Sequence, residues 1–247
     1  GRAYVGLGRY PEGIAELKAS LALFREIGSP YDVVNLLQDL TLASTSQGGI
    51  AEAMGYLNEA LPVARRLGAP ALLAGVLNNL GTVLYDRGEY QDALKLYEEG
   101  MVVASSGGDL RSHTNVLVGM ADIYRDLGAY ERADPLYNAA LQIARESRPG
   151  VAVYVLLAQA DAWRWQGNHT QALAAIDQAE RLAQERKLGF YLSGLLPVAR
   201  GIVLAEDGNL KHGRTLLEQG CAWLEERGAQ REVARARFLL AKAQLLA

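Results

Sequence analysis

A regular spacing of glycines runs through the chain and restricts its fold more than any local pattern does. Glycines recur at nearly equal steps, at positions Gly8, Gly48, Gly88, Gly128, Gly167 and Gly208. We call these six residues the marker glycines. Self-similarity at a fixed period of roughly 20–50 residues is the signature of repeat architectures. The sequence therefore predicts a stack of similar units instead of one globular core.

Other positions, at fixed distances from the marker glycines, are occupied alternately by small and by large residues. Small residues stand seven before, five after and twelve after each marker, whereas Leu, Ile or Tyr stands nine after it. Small residues let two helix backbones approach, and large ones fill the space beside them. Glycine tolerates the positive φ of a tight turn. The pattern predicts antiparallel helix pairs, with a first helix before each marker glycine and a second helix after it. Further glycines close the second helix at Gly28, Gly68, Gly108 and Gly228.

Two segments carry a family pattern. Both fit the pattern L-x-x-L-G…G-x-Y-x-x-A…Y, and they read LNNLGTVLYDRGEYQDALKLYEEG and LVGMADIYRDLGAYERADPLYNAAL. The chain thereby resembles the tetratricopeptide repeat over essentially its whole length. The resemblance implies an all-α fold, a right-handed α-α superhelix (TPR solenoid) of antiparallel helix pairs. The family repeat has ~34 residues and the present one is longer, so each helix here gains close to one turn. HEAT and armadillo repeats have the longer period but lack the Gly-x-Tyr-x-x-Ala turn.

The phase of the pattern also predicts the domain organisation. We expect a single solenoid over 1–247, and a fragment of a larger multidomain protein, because both end repeats are partial; an unusual C-terminal cap is the alternative. The predicted repeats are 1–28 (partial), 29–68, 69–108, 109–149, 150–189, 190–229 and 230–247 (partial). Pro62 should bend a second helix, and Pro197 should make a first helix start late or kink. Sequence drift and a functional hinge both explain these prolines.

Composition and motifs exclude several classes of function. The net charge of −3 argues against binding to a phosphate backbone. One cysteine, Cys221, forms no intrachain disulfide, and neither a signal peptide nor a membrane-spanning run is present, so we expect a cytoplasmic protein. The histidines show no metal-ligand spacing, and no nucleophile or phosphate-loop motif occurs. We therefore expect no enzyme activity, no metal and no cofactor.

Function is expected on one face of the first helices. Positions 13, 10, 9, 6, 3 and 2 before each marker share that face by helical spacing, and in tetratricopeptide proteins this stripe lines a concave groove. The candidate binding residues on it are Asn35, Gln38, Asp39, Asn78, Asn79, Thr82, Tyr85, Asp86, Asn115, Asp122, Arg125, Tyr154, Asp161, Arg164 and Trp165.

Side-chain amides are the most informative residues of this stripe. The register pairs Gln38 with Asn78, and Asp39 with Asn79, in neighbouring repeats. Amides both donate and accept, so a ladder of them suits a peptide backbone or a polyhydroxylated ligand. Asparagine is a poor helix former, which favours recognition over a merely solvated face. Trp165 could stack on a ligand or pack against the next helix.

The charges of the stripe predict an acidic groove. Two arginines, Arg125 and Arg164, face six carboxylates, those of Asp39, Asp86, Asp122, Asp126, Asp161 and Glu206. The stripe lacks the cationic clamp with which chaperone-binding tetratricopeptide domains hold a C-terminal carboxylate. In the sixth repeat the same face is apolar, which suggests a covered surface or an apolar partner.

The ends of the second helices carry a second resemblance. The phrases FREIGSP, ARRLGAP and WLEERGAQ are similar to the sensor arrays of bacterial STAND-type signalling ATPases and of relatives of the maltotriose-responsive transcription activator. The resemblance implies a non-catalytic sensor module of a larger signalling or transcription regulator. Its expected partners are a peptide, a protein, a small polar ligand, other domains of the parent protein, or a second copy of itself. A protein–protein scaffold and an assembly subunit stay open as alternatives.

Overall fold

The computed structural model describes residues 1–6 and 9–245, so the marker Gly8 lies outside the described residues. No strand forms in the described part of the chain, which confirms the all-α prediction. It contains the helices α1 (Arg2–Gly6), α2 (Tyr10–Ile27), α3 (Pro30–Ser46), α4 (Ile50–Leu67), α5 (Pro70–Asp86), α6 (Tyr90–Gly107), α7 (Leu110–Asp126), α8 (Tyr130–Ser147), α9 (Pro149–Trp165), α10 (His169–Glu185), α11 (Leu196–Glu206), α12 (Leu210–Glu226) and α13 (Gln230–Gln244).

The helices form two compact units, Gly1–Leu127 and Gly128–Ala247. In unit 1, α2 to α7 pack successively, and the first helix α5 also contacts the first helices on either side of it, α3 and α7. Its core is made of fully buried aliphatic side chains such as Val34, Leu37 and Leu57. The stacked pairs are the architecture that the small-and-large alternation predicts.

Unit 2 repeats this arrangement with α8 to α13. Here α9, α11 and α13 are the first helices, and α11 contacts both of the others. Fully buried Ile202, Leu217 and Leu224 fill the space between α11, α12 and α13. Each unit thus has its own apolar core.

Tyr97 shows why small residues recur in the repeat. This fully buried side chain on α6 lies between two glycines of neighbouring first helices, Gly81 on α5 and Gly119 on α7. A Cβ added to Gly81 would lie 2.6 Å from the ring, and one added to Gly119 would overlap the ring Cζ. The tyrosine fits only because neither neighbour has a side chain.

The described marker glycines all have positive φ, between 73° and 94°, as the turn between two helices requires. The glycines that close the second helices also have positive φ. After α10 this position is occupied by Lys187, whose φ is 55°. Among the described residues it is the one non-glycine with positive φ, so the lysine holds a backbone conformation that glycine adopts more easily.

Prolines lie within several helices of the structure. α4 runs from Ile50 to Leu67 with Pro62 inside it, and α8 likewise contains Pro135. Pro197 stands in the first turn of α11, directly after a π-helical turn at Tyr191–Leu195. A π-helical turn takes up one extra residue, and the step from Gly167 to Gly208 is the longest between marker glycines. The predicted irregularity before Pro197 is confirmed.

Candidate functional site

Three amides on α3 and α5 form a hydrogen-bonded chain on the first-helix face of unit 1. Asn78 Nδ2 donates to Asn79 Oδ1 at 3.4 Å, and Asn79 Nδ2 donates to Gln38 Oε1 at 3.2 Å. All three side chains are half-buried. We call Gln38, Asn78 and Asn79 the amide chain. Its existence agrees with the ladder expected from the sequence.

The pairing within the ladder differs from the expected one. Gln38 bonds to Asn79 and not to Asn78, so the partners are offset by one position between the repeats. The expected partner of Asn79, Asp39, instead accepts a hydrogen bond of 2.5 Å from Nε of Arg2. Gly75 enables the cross-helix contact, because a Cβ there would lie 2.8 Å from Gln38 Oε1.

The amide chain has two open ends. Within the described residues, Gln38 Nε2 and Asn78 Oδ1 have no hydrogen-bond partner. If all three amides were flipped, so that each oxygen and nitrogen exchanged places, the two ends would exchange roles, but one donor and one acceptor would still be left. The chain therefore offers a ligand one donor and one acceptor whichever way its amides point.

The remaining candidates of the third repeat are engaged in contacts inside unit 1. Thr82 Oγ1 donates to the backbone oxygen of Asn78 at 3.0 Å and lies 3.2 Å from the Tyr97 hydroxyl. Tyr85 donates from its hydroxyl to Asp126 Oδ2 at 2.5 Å. Burial and this bond to Asp126 raise the pKa of Tyr85 above its usual range. Thr82 and Tyr85 thus brace the face, whereas Asp86 is exposed.

Arg125 on α7 forms ion pairs with two of the predicted acidic residues. Its guanidinium lies 2.8 Å from Asp122 Oδ1 and 2.9 Å from Asp126 Oδ1, and the arginine side chain is only 11% exposed. Asn35 and Asn115 are half-buried on α3 and α7. Among the unit 1 candidates, the amide chain is the feature whose terminal donor and acceptor are open within the described residues.

Unit 2 holds a second ion-pair cluster on its first helices. Arg164, 5% exposed, lies 3.2 Å from Asp161 Oδ1 and 2.9 Å from Glu206 Oε1. Arg235 on α13 binds the other oxygen of Asp161, and Lys242 Nζ lies 2.7 Å from Glu206 Oε1. We call these five residues the α9–α13 cluster.

Burial of Glu206 would by itself raise the pKa of its carboxyl. The hydrogen bond from Lys242 and the nearby charge of Arg164 outweigh that effect, so the pKa of Glu206 is lowered. The carboxylate is therefore held in its charged form by its partners.

These contacts reduce the excess of acid that was expected on the first-helix face, although the six carboxylates still outnumber the five cations described there. That expectation counted only the five central repeats and so missed Arg2, Arg235 and Lys242. The signal was present in the sequence, because Arg235 and Lys242 stand one repeat after Leu195 and Ile202 of the stripe. Each of the three cations pairs with an acid of the stripe, so none of them forms an open clamp.

Two aromatic candidates of unit 2 are exposed. Tyr154 and Trp165 are 37% and 49% exposed, and the Arg164 guanidinium lies 5.8 Å from the centre of the Trp165 ring. The indole is therefore not buried beneath a neighbouring helix, which leaves its outer surface available for contact.

Metal-ligand groups and membrane-spanning helices are both absent among the residues that the structure describes. There, His, Cys, Asp and Glu form no group of three or more that could hold a metal ion. No helix in 1–6 or 9–245 combines the length and apolarity needed to cross a bilayer.

The repeat pattern has a direct counterpart among known families. The MalT-like TPR region matches residues 33–193. The chain belongs to this family. The predicted resemblance to MalT-like sensor arrays is thereby confirmed. No curated protein matches the sequence.

Solved structures with the same fold include signalling proteins. A Rap protein complexed with Competence and Sporulation Factor is 14% identical, with a TM-score of 0.74 over 98% of this chain and 72% of that one. NprR in complex with its cognate peptide NprX is 17% identical, with a TM-score of 0.73 over 99% and 73%. A STAND protein with a tetratricopeptide repeat sensor from Pyrococcus horikoshii is 14% identical, with a TM-score of 0.64 over 93% and 36%. At these identities the likeness confirms the tetratricopeptide fold of this MalT-like array.

Proposed function

We propose that this MalT-like array is a non-catalytic binding and sensor module of a larger signalling protein, and that the amide chain of unit 1 binds the backbone of a peptide. The observation that carries the proposal is the pair of open ends, one donor and one acceptor, on half-buried side chains. A peptide group has one N–H and one C=O to match them.

The surroundings of the amide chain support a neutral ligand group. Arg2 and Arg125 already pair with acids on the same face, so a strongly basic peptide is not required. Partial burial strengthens hydrogen bonds, because less water competes for the donor and the acceptor. The proposal is supported by two proteins of similar fold, a Rap protein complexed with Competence and Sporulation Factor and NprR in complex with its cognate peptide.

Other ligands would use the face differently. A small polyhydroxylated ligand would also satisfy the amides, whereas a scaffold or assembly surface would need no free ligand at all. In unit 2, considered by itself, the exposed Trp165 offers a surface for stacking on a sugar or on a peptide side chain. A search for the ligand therefore needs both peptides and sugars.

The test is a thermal-shift screen of the 247-residue chain against short unlabelled peptides and, separately, oligosaccharides. A ligand at a hundred times its Kd adds about 2.7 kcal/mol of stability, which the melting temperature reports. Asn79→Ala should abolish the shift caused by a peptide. Asn58→Ala, an exposed asparagine on α4 of the same unit, is the matched control and should preserve it.

The outcomes separate the proposals. Stabilisation by peptides that depends on Asn79 supports the peptide-binding module. Stabilisation by oligosaccharides alone assigns the amide chain to a sugar. If no ligand of either type stabilises the chain while another part of the parent protein binds it tightly, the scaffold and assembly alternatives hold.

A further inference from the structure

A pocket in unit 2, away from the first-helix face, is lined by three arginines. Arg145 stands in the last turn of α8, Arg181 in the last turns of α10, and Arg186 directly after α10. Leu156 of α9 and Leu182 of α10 form its apolar wall, and its volume is about 330 Å³. We call it the arginine pocket.

These arginines differ from most others in the protein. Twelve arginines of the described part form an ion pair with a carboxylate. Arg145, Arg181 and Arg186 have no carboxylate partner among the side chains that the structure describes. Of the described residues that line the pocket, Glu185 is the one acid. The chain has more acidic than basic residues, so three arginines around one pocket concentrate positive charge there.

The physical setting suits an anion with several charged oxygens. Guanidinium groups bind phosphate oxygens in a bidentate fashion, and three of them line this one pocket. The carbonyls at the C-terminal ends of α8 and α10 offset part of the charge of Arg145 and Arg186.

We propose that the arginine pocket binds a small ligand through an oligophosphate group. Its volume lies at the lower end of the ~300–1,000 Å³ typical of small-molecule sites, which fits a compact group better than a macromolecular surface. The site is independent of the amide chain, since its residues lie on α8, α9 and α10 of unit 2.

Isothermal titration calorimetry with sodium tripolyphosphate at constant ionic strength tests this site. We expect saturable binding of one anion, weakened about tenfold by Arg145→Gln or by Arg181→Gln, since each removes a charge-assisted hydrogen bond. Both side chains are exposed, so the variants should keep the wild-type circular dichroism spectrum. Arg66→Gln is the matched control, because Arg66 is also exposed and lacks a carboxylate partner among the described side chains, but lies on α4.

Three results would overturn the proposal. The first is the absence of a saturable signal. The second is an equal loss of affinity in Arg66→Gln, which would show unspecific attraction to a cationic surface. The third is tighter binding of citrate than of tripolyphosphate, since that would assign the pocket to carboxylates.

Discussion

Asn79 donates a hydrogen bond of 3.2 Å to Gln38, a residue one repeat and one position earlier in the chain. The bond joins two neighbouring first helices, α3 and α5, on the face where we propose that a ligand binds. The offset leaves Gln38 and Asn78 as the ends of the amide chain. Stability and recognition therefore depend on the same three side chains, and experiments can separate the two contributions.

A double-mutant cycle should measure the bond between Gln38 and Asn79. We expect Gln38→Ala and Asn79→Ala each to lower the free energy of unfolding by about 1 kcal/mol, with a coupling of about 0.5–1 kcal/mol, because the bond is neutral and only partly buried. Urea denaturation monitored by circular dichroism measures the free energies of unfolding from which the coupling is calculated. Asn58→Ala should change stability by less than ~0.5 kcal/mol. Strict additivity of the two substitutions would refute the bond.

Two glycine-to-alanine substitutions in helices should have opposite effects. Gly119→Ala places a methyl group against the ring of Tyr97, so we expect a loss of about 1–3 kcal/mol. Gly55→Ala on α4 meets nothing within 4 Å, and should stabilise by about 0.5–1 kcal/mol because alanine is the better helix former. Unfolding midpoints of both variants provide the measurement. Equal effects would mean that Tyr97 does not occupy the space beside Gly119.

Lys187→Gly should stabilise unit 2 although it removes a side chain. The lysine holds a φ of 55°, which costs an L-residue about 1 kcal/mol relative to glycine. Gly68→Ala is the reverse experiment at the equivalent turn of unit 1, where φ is 61°, and should destabilise. Melting temperatures that fall in Lys187→Gly would contradict this explanation.

Glu206 should contribute to the pH dependence of stability. Its folded-state pKa is lowered, so its contribution is present above the unfolded value of about 4.3 and is lost as the pH falls through the folded pKa. The stability advantage of the wild type over Glu206→Gln should therefore shrink below about pH 4.3. Denaturant unfolding at several pH values gives the comparison.

Glu218→Gln is the control for this pH experiment. It removes an exposed carboxylate that pairs with Arg214 within α12. Glu218→Gln should lower the free energy of unfolding only slightly, and by a similar amount across the same pH range, because exposed ion pairs contribute little to stability. A pH profile of Glu206→Gln that parallels that of Glu218→Gln would show that the α9–α13 cluster does not hold the Glu206 carboxylate in its charged form.

Periodicity made much of this protein predictable. Glycine turns such as Gly88, small positions such as Gly81 and large ones such as Tyr97 follow from local geometry and helix packing, which recur in every repeat. The same register placed Gln38, Asn78 and Asn79 on one face of the first helices. Since the same packing recurs in each repeat, one repeat interpreted correctly predicts the others.

Departures from the repeat and contacts between residues far apart in the sequence could be identified only from the tertiary structure. The sequence by itself determined the helix pairs, their turns and the face that carries the amides, because these depend on residues within one period. Only the tertiary structure decided that Asn79 bonds to Gln38, that Lys242 neutralises Glu206, and that three arginines surround one pocket. Those facts depend on side-chain distances between neighbouring helices, and an offset of one position is enough to change the partner.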